Sequence, residues 1–343
     1  MNSIEINRIP SPTWNKLGIN HTTLSPDPSS LCHARPVETE GDYYPVVPAD
    51  FSVTGSAGAA FTRLIEEILP RAERFSSLPE KPLLIRDTLF PGQVRRLSLR
   101  AARGSHLILI TRCLASSSPD GQILEDVQIL AEADSHVTIV QILDGNSQEK
   151  TAVSLAADAQ EDAKIDVTQI VLGGAGNILG GNIFLRGNRS SLDAAIHYQC
   201  RADHELDLNW VITHAGQKSE SRILAQGSLN DRCKKVFRGT IEFLRGAAGS
   251  VGEETEDVLL LSDEVHNQTV PVILCSEENV QGNHGASIGR LSDELLYYLQ
   301  SRGPSKEDII RLLTAARLKS ALRRIPDSET VQWLQQRLDE NPD

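Results

Sequence analysis

Between about Pro82 and Cys275 the chain repeats a short β-type run at nearly constant intervals, and no other feature limits its fold so tightly. Ser105-His-Leu-Ile-Leu-Ile, Ser135-His-Val-Thr-Ile-Val, Ala163-Lys-Ile-Asp-Val-Thr and Ser190-Ser-Leu-Asp-Ala-Ala begin 30, 28 and 27 residues apart. Gly, Asn, Asp and Ser separate the runs, and almost no helical period intervenes. A unit of this length that carries strands but no crossover helix suits a β-solenoid, in which each coil stacks its alternate side chains on those of the next. Ile108, Ile110, Ile139, Val167 and Ile170 then belong to strands whose inward positions, filled by Val, Ile, Leu and Ala, form a continuous apolar stack. The period drifts, so an antiparallel sandwich with strands at similar spacing remains open.

The flanks have a different texture. Residues 1 to about 50 contain Pro10, Pro12, Pro26, Pro28, Pro36, Pro45 and Pro48, which prevent any long helix or central strand and give an extended arm. Phe61, Leu64, Ile65 and Ile68 stand at helical spacing before Pro70 ends the run. After Gly289 the helical period returns, with Leu291, Leu295 and Leu299 and then Ile309, Leu312, Leu313, Ala316, Ala321 and Leu322. Ser305 reads as an N-cap, with Glu307 and Asp308 in the first turn. A last helix starts at Asp327 or Ser328, and Gly303-Pro304 punctuates the first two.

Composition narrows the class. In 343 residues, 40% are hydrophobic, enough for a sizeable core, and the formal net charge is −12. Nucleic acid and anionic membranes demand clustered Lys and Arg, so a protein partner fits better. No apolar run approaches the roughly 18 residues that span a bilayer, and Met1-Asn-Ser-Ile-Glu-Ile-Asn-Arg lacks the pattern of a signal peptide. A cytoplasmic location is expected. Five cysteines without CxxC spacing, Cys32, Cys113, Cys200, Cys233 and Cys275, write neither a disulfide framework nor a self-contained metal site.

Enzyme signatures such as G-x-x-x-x-G-K-[ST] and H-E-x-x-H are missing. The glycine-rich Gly173–Gly181 stretch lacks the third glycine and the following helix of a dinucleotide fingerprint, and reads as a turn between coils. His197, His204 and His214, near Asp203, Glu205 and Asp207, read as solenoid-edge side chains, and Cys113 and Cys200 as small core residues. Cys275 ends the apolar run from Val270, and His284 follows nine residues later in a Gly-rich polar turn. A thiolate and an imidazole are suitable ligands for iron or for nascent cluster sulfide; core packing for Cys275 and a turn role for His284 are the competing readings. His266 solvates a turn.

His284-Gly-Ala-Ser-Ile-Gly289 and Tyr297-Tyr-Leu-Gln-Ser-Arg-Gly303 resemble the C-S-H-G-A-T-x-G and F-Y-L-x-S-R-G stretches of the SufB/SufD iron–sulfur cluster assembly proteins. Thr13-Trp-Asn-Lys-Leu-Gly-Ile-Asn20 is similar to their T-W-N-x-L-x-V-N segment, Phe237–Ala247 to F-x-G-x-I-x-V-x-x-G-A, and Leu259–Ser262 with Thr269-Val-Pro271 to L-L-L-S…T-x-P. Two departures stand out. Gly282-Asn283 replaces the cysteine next to the family histidine, and Gly303-Pro304 replaces Gly-Ile.

The resemblance implies a mainly β, right-handed parallel β-helix and a SufD-like role. The division is then 1–81, a Pro-rich and helical region; 82–285, the β-helix core; and 286–343, a helical domain. The chain would be a non-catalytic subunit of a SUF-type complex, with ATP hydrolysis in a SufC-like ABC ATPase bound through the C-terminal helices at Leu299, Arg302 and Arg317, although Leu299 reads equally well as core. His284 would lie where SufB-like and SufD-like subunits, or two copies of this chain, meet. With Cys275 it is the candidate metal ligand, while the chain alone holds no cofactor and an iron–sulfur cluster is transient in the complex. A structural paralogue acting only as a binding module and a β-helix carbohydrate-active enzyme are the rival functions; the latter needs clustered acids and aromatic platforms, and aromatics are 4%.

Overall fold

The computed structural model describes residues 3–11, 17–44, 55–115, 121–146, 148 and 150–340. Two parallel sheets of eight solenoid strands each build the core. The first contains Glu73–Ser77, Gln93–Ala101, Gln122–Ala131, Lys150–Ala159, Gly176–Leu185, Glu205–His214, Lys234–Phe243 and His266–Cys275. The second contains Leu83–Leu89, His106–Leu114, His136–Asp144, Lys164–Gly173, Ser191–Cys200, Glu220–Leu229, Val251–Leu260 and Gln281–Arg290. Every strand pairs in parallel with the strand one coil away, so the architecture is a β-solenoid and not an antiparallel sandwich. Its first strand begins at Glu73 and its last ends at Arg290, which widens the expected 82–285 core at both ends.

One corner explains the repeat seen in the sequence. Asp134, Asp162, Arg189 and Lys218 have φ between 54° and 59°, and each immediately precedes the small residue that stands just before the next strand: Ser135, Ala163, Ser190 and Ser219. A left-handed residue turns the chain sharply, and a small side chain then fits inside the corner. The Ser219 and Ser250 hydroxyls are 2.9 Å apart and those of Ser77 and Ser105 2.6 Å, so neighbouring coils are also tied there.

The interior differs from the expected apolar stack. Leu109, Ile139, Val167, Ala194 and Ile223 do form one inward column by register. Ile108, Ile110 and Ile170 point outward instead, beneath the C-terminal helices. Two groups of polar residues replace aliphatics inside. Near the first coils, Arg95 binds Asp87 at 2.6 and 2.9 Å, and Gln141 donates to Glu125 at 2.9 Å; the second group lies near the last coils. Between them stand Trp210 and Tyr198, both fully buried. A Cβ on Gly181 would lie 2.6 Å from the Trp210 ring and one on Gly180 1.8 Å from the Asn209 carbonyl oxygen, so the mid-strand glycines of Gly176–Leu185 make room for an aromatic ring and for the neighbouring backbone, and only Gly174-Ala175 serve as the turn.

Helices cover the outside. Helix α1 (Ala59–Ile68) buries Phe61, Leu64 and Ile65 on Val94, Leu124 and Ala152 of the first sheet. After the last coil come α2 (Asp293–Gln300), α3 (Lys306–Lys319) and α4 (Ser328–Glu340). Ser305 and Asp308 form a reciprocal capping box at the start of α3, as the sequence suggests. The buried side of α3 is Ile309, Thr314 and Leu318, whereas Leu312 is 70% exposed, which corrects the expected stripe. The segment folds back along the second sheet, and its ion pairs step down the coils: Arg317–Asp257 at 2.8 Å, Arg324–Asp193 at 3.2 Å, Arg337–Asp144 at 2.6 Å and Asp327–Arg86 at 2.8 Å. The Arg86 guanidinium holds Asp327 down at about 2.

Of the N-terminal arm, the antiparallel hairpin Ile4–Ile6/Thr22–Leu24 lies against the first sheet. The Arg238 guanidinium donates to the Ile19 carbonyl at 2.5 Å and to Asp207 at 2.6 Å. Thr13–Lys16 of the family-like segment fall outside the described residues.

Candidate functional site

Strand alternation assigns the last coil its inward positions. In Val251–Leu260, Gly252, Glu254, Glu256 and Val258 are buried while Val251, Glu253, Thr255 and Asp257 are not. Their register partners in Gln281–Arg290 are Gly282, His284, Ala286 and Ile288, which therefore share the inward column. His284 thus stands in mid-strand directly over Glu254. It is exposed because no coil lies above it among the described residues, and not, as the sequence suggests, because a glycine turn throws it outward.

Cys275 has the same relation to the other wall. It pairs with Phe243, which is fully buried, so it continues a core column into the open, with Ile273 beside it over Ile241. The Cys275 thiol donates to the Glu277 carbonyl at 3.0 Å. Cys275 and His284 thus line opposite walls of one open mouth. Among the described residues no three His, Cys, Asp or Glu side chains converge to hold a metal ion.

Below the mouth lies a charged floor that the sequence reading missed. Lys235 and Glu256 form a fully buried ion pair. The Lys235 ammonium also donates to Asn267 at 2.9 Å and Thr269 at 3.3 Å, and the Thr269 hydroxyl donates to Glu256 at 2.6 Å. Glu254, 4% exposed, is pushed up to about 8 by burial and then by the charge of Glu256, with Lys235 opposing. Burial also pulls Lys235 down. A carboxyl in that range keeps its proton near neutrality and can exchange it with a group above it. The signal was available: Lys235 and the pair Glu254 and Glu256 fall in phase with inward Phe237 and Val258.

The rim is apolar. All ten residues of Gln281–Arg290 are exposed, and α2 buries none of its eight residues. Ile288, Leu295, Tyr297 and Tyr298 are 51%, 47%, 76% and 53% exposed. Arg302 donates to the Tyr298 hydroxyl at 2.8 Å and stacks on its ring, Leu299 is half-buried, and Arg317 is committed to Asp257. Gly285-Ala-Ser287-Ile-Gly289 has the spelling G-x-S-x-G, against the expectation that the chain carries no such motif; it lies inside the strand Gln281–Arg290 and not at a strand-to-helix elbow, so Ser287 has no nucleophile geometry.

Of the three histidines expected at solenoid edges, His204 does stand in the turn before Glu205–His214, but the other two are interior. His214 is buried with its ring nitrogens 2.8 Å from the Ser219 and Ser221 hydroxyls. His197 lies under the helical segment, 3.3 Å from Ser320. Burial holds both down at about 4. Cys113 and Cys200 are buried as expected.

Residues 85–317 match the model of the family described as "SUF system FeS cluster assembly, SufBD core domain", a span that starts in the first coil and ends in α3. The chain belongs to the SufB/SufD family. It is 35% identical over 115 residues to the iron–sulfur cluster assembly protein SufD of Bacillus subtilis, covering 34% of this chain and 26% of that protein. SufD of Escherichia coli is 29% identical over 166 residues, 48% of this chain and 39% of that one. An iron–sulfur cluster assembly SufBD family protein of Arabidopsis thaliana, ABCI8, chloroplastic, is 24% identical over 251 residues, 69% of this chain and 44% of that protein. The match thus spans about half or less of the length of these relatives. In SufB/SufD terms, the family-like histidine stretch is the final strand of the solenoid, and the Y-Y-L-Q-S-R-G stretch is α2 beside it. No helix among the described residues is long and apolar enough to cross a membrane.

Proposed function

We propose that this chain is a SufD-like subunit of a SUF-type assembly complex, working in the cytoplasm as a non-catalytic partner of a SufC-like ABC ATPase and of a SufB-like subunit or a second copy of itself. The observation that carries the reading is the open end of the solenoid. There the family-like strand Gln281–Arg290 is wholly exposed, with His284 and Cys275 at the mouth and a buried proton-holding carboxyl beneath His284. The cluster is cargo, joined where a second subunit closes the mouth and adds ligands. His284 contributes an imidazole, with Cys275 as a second donor, and Leu299 and Arg302 belong to the helical face offered to the ATPase. Arg317 holds that face to the solenoid.

The test is His284→Ala in a complex reconstituted with SufB-like and SufC-like partners, with iron and sulfide counted after assembly. Assembly by sizing and ATPase binding are expected to stay intact while cluster yield falls several-fold. Unchanged yield in a normally assembled complex removes His284 from the chemistry and favours a chain that only binds.

A further inference from the structure

The helices that follow the last coil hold to the solenoid in two different ways. From Leu318 onward the contact is apolar: Leu318, Ala321, Ile325 and Leu334 share a cluster with Ile142 and Ile170 of the second sheet, and the Arg112 guanidinium lies over the Trp333 ring of α4 at 5.5 Å. Before Leu318 it is polar. The Ser228 hydroxyl donates to Thr314 of α3 at 3.1 Å, and Arg317 reaches Asp257, which also accepts from Gln226, at 2.8 Å. Ile309 is the one apolar residue that α3 buries ahead of Leu318, and α2 buries none of its residues. Between this part of α3 and the solenoid lies a cavity of about 300 Å³, with Gln199, Ser228 and Thr314 among its walls.

Polar contacts of this kind trade for contacts with water at little net gain, a partly exposed ion pair adds little more, and a cavity withholds the dispersion that a packed wall supplies. The docking of α3 is therefore weaker than that of α4. The joints for a movement are present. At Ser320, α3 passes directly into a 3₁₀ turn, Ser320–Arg324, a change of helix type that commonly marks a hinge. Gly303, at φ 110°, separates α2 from α3, and Leu291 N donates to Leu260 O at 3.4 Å, which ties the start of the segment to Val251–Leu260. We infer that α2 and α3 form a strap, fixed near Leu291 and Ser320, that lifts from the solenoid while α4 stays docked.

Lifting breaks the Ser228–Thr314 and Arg317–Asp257 contacts. The second bears on the mouth, because Asp257 lies on Val251–Leu260, whose inner side carries Glu254 and Glu256; with the strap down, α3 holds that strand from outside. The strap also carries Tyr297, Tyr298 and Leu312, which are 76%, 53% and 70% exposed, so a partner that grips these side chains in only one position shifts the equilibrium. The motion belongs to the chain alone and does not depend on the partners proposed above.

Undocked helices of this length are marginal in water, so lifting opens the amides of α3 to exchange, and α4, with 13 residues against 14, is a control of nearly equal length. Hydrogen exchange of the full chain, without partners, is read by mass spectrometry on peptides from α3 and α4 near neutral pH. The α3 amides are expected to be at least about ten-fold less protected than those of α4. Arg317→Gln is expected to lower α3 protection a further several-fold, and Ser228→Ala with Thr314→Val, which turns the polar pair apolar, to raise it, with α4 unchanged in both. Equal protection of the two helices, or variants that move both together, overturns the inference, because the C-terminal segment then opens as one unit. The comparison within the parent chain needs no variant.

Discussion

Glu254→Gln isolates the energetic consequence of placing a carboxyl beneath His284. In the unfolded chain Glu254 titrates at 4.5, and in the fold at about 8. Because the folded value is the higher one, the group's contribution is fully present below pH 4.5 and is lost as pH rises through 8. The slope is about 1.4 kcal/mol per pH unit, so the whole loss is roughly 5 kcal/mol. Glutamine has nearly the same shape and stays neutral, so it removes the slope without opening a cavity. Glu125, also pushed up to about 8 by burial, titrates alike in both proteins and cancels in the difference. Urea unfolding of both proteins from about pH 5 to about pH 9 reads that difference. The variant is expected to gain on the parent by more than about 2 kcal/mol across the range and to level off above pH 8. Parallel profiles would refute the reasoning, because they require Glu254 to ionise freely in the fold.

Two further outcomes follow from packing. Gly181→Val sets a Cβ 2.6 Å from the Trp210 ring, itself fully buried, and is expected to cost about 1–3 kcal/mol in urea unfolding with blue-shifted or broadened Trp fluorescence. Tyr297→Asp with Leu312→Asp changes side chains that are 76% and 70% exposed; stability is expected within about 0.5 kcal/mol of the parent, while pull-down of an ABC ATPase is lost.

The repeat was legible because a corner has a chemical spelling. Asp134-Ser135, Asp162-Ala163 and Arg189-Ser190 each join a left-handed residue to a small one, so spacing alone located the coils. The helix ends were equally readable, since Ser305 and Asp308 cap through their own side chains. Facing was less legible. Strands such as His136–Asp144 are buried along nearly their whole length, because helices cover the outer side, and alternation cannot then tell inner from outer Ile. His284 was misjudged for a related reason: Gly282 and Gly285 spell a turn locally, and only pairing with Val251–Leu260 holds them extended. The charged floor was legible only in part: the phase of Lys235, Glu254 and Glu256 with inward Phe237 and Val258 marks them as interior, but they come from two strands, so their pairing across the hollow is not written in the sequence.

The two ends of the solenoid are finished differently, and that asymmetry bears on the partner. At the first coil, Glu38–Glu40 pairs antiparallel with Leu83–Leu89, and Tyr43–Tyr44 with Glu73–Ser77, so both sheets are closed off. At the last coil, neither His266–Cys275 nor Gln281–Arg290 has a further neighbour among the described residues. Open strands with unpaired N–H and C=O groups recruit another chain unless something blunts them. Pro271 removes one donor from His266–Cys275. Gln281–Arg290 has no proline and is exposed along its full length, with Ile288 at its side. A partner that adds a strand has better hydrogen bonding at Gln281–Arg290, and a strand added there necessarily roofs His284 and the carboxyl beneath it. Under the proposed function, pairing with a second subunit through this edge and closure of the candidate site would be one event.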